Sequence, residues 1–475
     1  MAQPAHLRSV LLVLAGVVIG LGVMQWMRPQ RSGETSAPAA AKTVPPSENP
    51  GSAGLASAQG DPMSVLSRAI SNPDRDERGE TLRALAARLV AEDVRKALAI
   101  AAKIPDAGDR LEFLRALFAA WAAKDPKAAM EYAKANFPAG IQQSEALVAA
   151  VEKWGGSNPR EAWLWVEANL SGPLKEEAAT SLVQGWARRD PESAAAWFVS
   201  TGSTSQSMLD ALVTTWTGLD AKSAAAWAET LSHPGNKETA RVLVASEWAR
   251  QNPADAAAYF TPMMTGAAAI NLGSALVNSW AAADPAATAE WVKKLPAGEA
   301  RTNAAGTLAT VWAASDIHAA VKWSESIDDA EMRDGVIDHL GTTWGAIEPQ
   351  KALDWIATLP AGDAKTEATK GALGSWAATH PQAMEVWIST QPAGPLADEG
   401  RMNLAAVYAD SNQSDSMRLA LAISDPQMRG DAAAKFFGHW RKVNDAAAQQ
   451  WLQSNWAQLS ADVQKRLGRE QKRNL

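Results

Sequence analysis

The sequence predicts an all-α fold: a right-handed αα-superhelix, or solenoid, of eleven or twelve helix–turn–helix repeats, preceded by one N-terminal transmembrane helix. Three observations predict it. Tryptophan recurs at a near-constant interval, most copies carry Asp or Asn, often followed by proline, between two aromatics, and an uncharged apolar run stands near the start. A fixed period of about 20 to 50 residues marks stacked supersecondary units, since one unit cannot bury its apolar face alone.

The first element is Ser9 to Met27, "SVLLVLAGVVIGLGVMQWM", 19 residues without a charge and long enough to span a bilayer as a helix. A cleaved signal peptide is the rival reading. Its apolar core is normally shorter and followed at once by a small-residue cleavage site; here the nearest, around Ala39–Ala41, lies well downstream. An uncleaved anchor is favoured, with residues 1–8 cytoplasmic and 9–27 in the membrane. Arg8 precedes the span and Arg28 and Arg31 follow it, so the positive-inside rule is nearly balanced. One span before a long C-terminal domain favours N-in, C-out, which in a bacterium places the repeats in the periplasm on the inner membrane. Gly16 and Gly20 form a G-x-x-x-G, a candidate dimerisation face. Residues 28–62 are rich in Pro, Ala, Ser and Gly and read as a disordered tether with a reach of about 30 Å.

The repeats occupy 63–455. Their first aromatic position holds Trp121, Trp154, Trp186, Trp216, Trp248, Trp280, Trp312, Trp344, Trp376, Tyr408 and Trp440, at intervals of 33, 32, 30 and then 32 throughout. Eleven residues after each come Tyr132, Trp165, Trp197, Trp227, Tyr259, Trp291, Trp323, Trp355, Trp387, Leu419 and Trp451. Of 21 tryptophans, 18 fall on these two positions, which makes them the organising residues of the fold. One period earlier stand Leu89 and Ile100, an aliphatic first copy.

Four residues after the first aromatic comes Asp or Asn (Asp125, Asp190, Asp284, Asp316), usually followed by proline (Pro126, Pro191, Pro285). Asp or Asn accepts a hydrogen bond from an orphan amide at a helix start, and proline suits the first helical position. The step therefore ends one helix and opens the next. Apolar residues four and eight before the aromatic (Leu276 and Leu272 before Trp280) share one helical face with it. "LPAG" at 295–298 and 359–362 breaks the second helix. A small residue follows most first tryptophans, and another precedes the second by a turn; the second is expected to leave room for an indole from a neighbouring hairpin. The rival reading of the indoles is an open row that stacks on sugars or peptides.

These paired helices, with an alanine just before the second aromatic and a proline closing the unit, resemble the tetratricopeptide-like class of helical hairpin repeats over about 360 residues. The period is 32 rather than 34, the W-x2-L-G-x2-Y signature is missing, and the internal turn is shorter. The resemblance implies a scaffold whose first helices line a concave surface that binds protein or peptide. It carries over no ligand-holding residue.

The chain ends in a predicted capping helix, with Leu459, Val463 and Leu467 at spacings of four, and a basic tail, together 456–475. Net charge is −7; the first 60 residues carry +2 and the last eleven +4, which leaves −13 for the body. An acidic body argues against nucleic acid, which needs a basic footprint. Without cysteine there is no disulfide, thiolate catalysis or zinc–thiolate site. No catalytic motif occurs, the six histidines fall at different repeat positions, and the reading is a non-enzymatic protein without catalytic residues, cofactor or metal.

Two recurrent polar positions remain. Eleven before the first aromatic stand Arg110, Lys175, Lys237, Arg301, Arg333, Lys365 and Arg429. A cation in a helix's first turn opposes the macrodipole, so its recurrence needs another cause: a reach to the preceding helix's carbonyl end or a carboxylate, or a basic ladder for an acidic ligand. Two before the aromatic come Gln184, Thr214, Ser246, Asn278, Thr310 and Thr342, and nine before it Asn271 and Asn303. These are the candidate partner-binding residues, able to hydrogen-bond an extended chain. The expected function is a membrane-anchored scaffold binding a protein or peptide at the bacterial cell envelope. The alternative is a cell-wall glycan- or polysaccharide-binding or processing protein that uses exposed tryptophans.

Overall fold

The computed structural model describes residues 59–264 and 268–473. The expected anchor at Ser9 to Met27, its Gly16/Gly20 face and nearly all of the tether lie outside these. Among the described residues no helix is long and apolar enough to cross a membrane. They form two compact units that divide between Phe260 and Thr261. Each is taken by itself.

The first unit opens with α1 (Pro62–Ser71) and continues as six hairpins: α2 (Arg75–Glu92) with α3 (Val94–Ala101), α4 (Ala107–Ala122) with α5 (Pro126–Asn136), α6 (Ile141–Gly155) with α7 (Pro159–Asn169), α8 (Gly172–Ala187) with α9 (Pro191–Ser200), α10 (Gln206–Leu219) with α11 (Ala221–Thr230), and α12 (Pro234–Gln251) with α13 (Pro253–Phe260). The aliphatic first copy is present: Leu89 and Ile100 are buried on α2 and α3. In the second unit α14 (Ala268–Ala281) pairs with α15 (Pro285–Lys294). One 27-residue run, α16 (Glu299–Glu325), holds a whole hairpin. Then come α17 (Ala330–Ile347) with α18 (Pro349–Thr358), α19 (Asp363–Thr379) with α20 (Pro381–Thr390), α21 (Pro395–Tyr408) with α22 (Gln413–Leu421), the hairpin-containing α23 (Pro426–Asn455), and α24 (Ala461–Arg473). Strands are absent among the described residues. The C-terminal helix buries Val463 and Leu467, and the turn before it buries Leu459, in the same core as Phe437 and Leu452.

The hinge is one residue. Asp284 lies at φ −146°, ψ 84°, outside the helical region, and its side chain accepts from the amide of Ala287. Its own amide donates to the Trp280 carbonyl at 3.0 Å, which closes the last turn of the first helix. Asp125, Asp190 and Asp220 do the same. Asp316 and Asn444 are the single non-helical residues inside α16 and α23, so those long helices are hairpins too. Asn158 departs from the expectation: its amide bonds the Glu161 carboxylate and caps no backbone group. At the far end of the hairpin, Gly298 (φ +136°) and Gly394 (φ +155°) adopt left-handed backbone that favours glycine.

The two aromatics of a hairpin pair with each other across this hinge. Ring centroids lie 5.7 Å apart for Trp186–Trp197, 6.0 Å for Trp280–Trp291 and 4.9 Å for Trp376–Trp387. First-position indoles also border the preceding hairpin: Trp344 meets His318 at 5.9 Å, and Trp216 lines a depression with Glu192 and Ala196. The small residue after the first tryptophan faces a different neighbour. A Cβ on Gly155 would stand 2.5 Å from the Leu182 carbonyl oxygen, and one on Gly345 would stand 2.6 Å from that of Ala372. At these junctions successive first helices approach backbone to backbone, whereas α21 and α23 meet only marginally. Each second helix lies against its own first helix and the next one, while second helices do not approach one another closely.

This close approach sets an asymmetric test. Gly345→Val should lower the stability of the second unit by about 1–3 kcal/mol, the usual scale of overpacking. Gly218→Ala on α10, where a Cβ meets nothing within 4 Å, should raise stability by up to about 1 kcal/mol. Urea unfolding with hydrogen exchange reads both, and a neutral Gly345→Val would show the first helices to be farther apart than described.

Candidate interaction surface

Side-by-side first helices expose one polar stripe from each, and the helices fix how these meet. The residue six before the aromatic on one helix faces the residue nine before it on the next. Arg83 on α2 pairs with Glu112 on α4, and Arg115 with Glu145 on α6 at 3.6 Å. In the second unit Ser274 Oγ donates to Asn303 Oδ1 at 2.8 Å. A second contact joins the residue two before the aromatic to that five before it in the next copy: Thr310 Oγ1 lies 3.3 Å from His339 Nδ1. Gly371 leaves room for Thr342 in the same way. Between α6 and α8 the Glu152 carboxylate takes Arg188, and Ser144 donates to Glu177 at 2.6 Å.

The sequence-predicted residues divide accordingly. Asn303 and Thr310 belong to this ladder. Thr214 is exposed and bonds only Asp210 on its own helix, at 3.3 Å. Asn271 and Asn278 are exposed; Gln184, Ser246 and Thr342 are half-buried. Sequence reasoning missed Ser274, Thr307, Asp338 and His339. The available signal was the 3–4 residue spacing, which puts positions two, five or six, and nine before the aromatic on one helical stripe.

The cations eleven before the aromatic are structural. Arg110 Nη1 donates to the Ile104 carbonyl at 2.8 Å, Arg333 Nη1 to Ile327 at 3.1 Å, and Lys365 Nζ to Ala357 and Leu359 at 2.6 and 3.0 Å. They satisfy the orphan carbonyls at the end of the preceding second helix. Arg301 pairs with Asp329, and Lys175 lies over the Trp163 ring at 5.5 Å. Arg429 adds a forked bond to Asp462, which ties α23 to α24. A free basic ladder is not formed.

The indoles do not form an open row. Trp154 and Trp376 are 2% exposed and most other first-position rings are also buried. Most second-position rings are half-buried. Trp165 and Trp323 are buried.

Two polar nodes in the second unit have shifted acidities. Asp398 on α21 is almost fully enclosed and accepts from the Ser424 and Asp425 amides at 2.7 and 3.0 Å, from Ser424 Oγ, and from Arg401. Burial alone would raise its carboxyl, but these donors together hold it below the ordinary 3.8. Burial also lowers His339 below 6.5 and raises Asp338, which faces Glu367 across the six–nine junction.

No family model matches the chain, and no curated protein matches it. Among solved structures the chain is similar to "Crystal Structure of Importin Beta in an Ammonium Sulfate Condition". Identity is 10%, over 85% of this chain and 68% of that one, with a TM-score of 0.25. The assignment to a helical-repeat protein rests on the chain's own hairpins.

Because the Asp398 carboxyl is depressed in the folded state, its contribution is complete above about 3.9, the unfolded value, and is lost as pH falls through the folded one. Asp398→Asn should therefore lower the Tm of the second unit at neutral pH, and the gap from the native chain should close below about pH 4. Scanning calorimetry against pH checks it. A gap of constant size down to pH 2 would remove the carboxylate as the cause.

Proposed function

We propose that the chain is a membrane-anchored scaffold that binds a protein or peptide on the polar face of its first helices, at the bacterial cell envelope. The observation that carries the reading is the backbone-close stacking of successive first helices. It turns one polar residue per hairpin into an aligned series within each unit. Thr214 and Asn278 are exposed on that face, and Gln184, Ser246, Thr342 and Asn271 accompany them. Asn303 and Thr310 hold the neighbouring helices, so they shape the face as well as offering groups to a partner. Buried first-position indoles support a scaffold over a glycan-stacking row. The membrane part rests on the sequence of Ser9 to Met27 alone, and Gly16 with Gly20 would serve any pairing of anchors.

A photo-crosslinking residue at Thr214 or Asn278 in the native membrane should yield a discrete protein adduct. The same residue at exposed Glu290 or Gln350, on second helices, should yield none. Thr214→Lys and Asn278→Lys should each leave helicity unchanged, since surface substitutions rarely move stability beyond about 0.5 kcal/mol, and should reduce the adduct. Adducts from the second-helix positions alone would place the partner on the other side.

The anchor has its own test. The full chain should stay in the membrane pellet through high-salt and alkaline washes. A mature native protein beginning near Lys42 would replace the anchor with a cleaved export signal.

A further inference from the structure

Trp163 lies outside both repeat positions, on α7 two residues before Trp165. It meets Trp197 of the next hairpin in a T-shaped contact, 5.2 Å between centroids at 70°. Successive second helices stand apart, and between α7 and α9 this leaves an open cleft of about 940 Å³. Trp163, Trp186, Ala196 and Trp197 floor it, and Leu164, 65% exposed, forms one wall. The cleft continues past Gly156, Ser157 and Arg189 into a smaller depression of about 470 Å³ lined in part by Lys153.

The rim carries more positive charge than its carboxylates can neutralise. Asp190 is engaged in capping Ser193, and Glu152 is taken by Arg188. Arg160 and Lys153 are exposed and meet no carboxylate among the described residues. Arg189 reaches only the Gly156 carbonyl, at 3.4 Å. A cationic rim of this kind is unusual in a body carrying −13. Screening over about 8 Å at physiological salt means a ligand entering the cleft feels this rim rather than the distant acidic surface.

We infer that this cleft docks an acidic peptide: an extended partner segment with a large aliphatic side chain set between carboxylates. The aliphatic group fills the floor against Leu164 and Trp197, and the carboxylates reach Arg160, Arg189 and Lys153. A sugar would need a broad open indole face. Here the Lys175 ammonium covers Trp163 and Trp197 crowds the same ring. The main cleft lies between second helices, and only its continuation at Lys153 borders the first-helix ladder at Arg115, Glu152 and Arg188. Arg160, Leu164 and Arg189 lie on elements other than those of the exposed Thr214 and Asn278, so the two surfaces can fail separately.

The test uses the full chain in detergent and a dye-labelled seven-residue peptide, a central leucine flanked by three glutamates on each side, read by fluorescence anisotropy. The peptide should bind, and added salt should weaken it. The double variant Arg160→Glu, Arg189→Glu should lose at least about tenfold in affinity, the direction expected when paired charges become like charges. Leu164→Ser, and serine in place of the peptide's leucine, should each lose several-fold. All three altered residues are exposed, and circular dichroism verifies that the variants keep their helicity. The inference is overturned if the peptide does not bind, if the double variant binds it undiminished, or if a lysine-flanked peptide binds equally well. It is also overturned if polygalacturonate displaces the peptide at matched carboxylate concentration while the serine peptide binds like the leucine one, which would make the cleft a site for acidic glycan.

Discussion

A hinge of one residue, closed by an aromatic pair, determines most of this architecture. The residue after the turn cannot wander, because its amide finishes one helix while its side chain starts the next. That fixes where the second helix departs, and the rings eleven apart then meet at about 5–6 Å, contributing roughly 0.5–1.5 kcal/mol beyond their buried area. The second helix becomes a wedge between two first helices. First helices are left to close on one another, most tightly where glycine meets the neighbouring backbone, as at Gly155 and Gly345. The polar face follows from that closure.

Much of this was legible in the sequence because it is local. The period, the capping Asp, the proline behind it and the amphipathic offsets all act within a few residues. The turn-end cations were legible too, since a cation at a helix start makes sense only if it satisfies something outside its own helix. What the pattern could not show is which neighbour a small residue accommodates. An alanine or glycine beside a tryptophan is compatible with an incoming indole or an incoming backbone, and the choice depends on the angle between helices. The pairing of polar stripes was hidden for the same reason: Ser274 and Asn303 sit at different offsets from their own tryptophans, and only the stagger of one helix against the next brings them together.

The ladder's chemistry differs along the chain. Exposed ion pairs such as Arg83–Glu112 are worth little, about 0–1 kcal/mol. The enclosed node at Asp398 is different in kind, because its carboxylate satisfies two backbone amides at the α22–α23 turn as well as Arg401. The rim cations of the α7–α9 cleft are different again. Arg160 and Lys153 pair with no carboxylate among the described residues, and Arg189 reaches only the Gly156 carbonyl.

The stagger between first helices also governs which copies are interchangeable. At the six–nine junction, α2 offers Arg83 to Glu112, and α4 offers Arg115 to Glu145. Both junctions have the same spelling. Loss of the 32-residue unit between them would bring Arg83 opposite Glu145 and keep that Arg–Glu step, but Arg78, which pairs with Asp109, would meet Gln142 instead. The later junctions are spelled differently: serine meets asparagine at Ser274–Asn303, and two carboxylates face each other at Asp338–Glu367. By the six–nine pairing alone the first copies are interchangeable, while further along each hairpin is tied to its own neighbour.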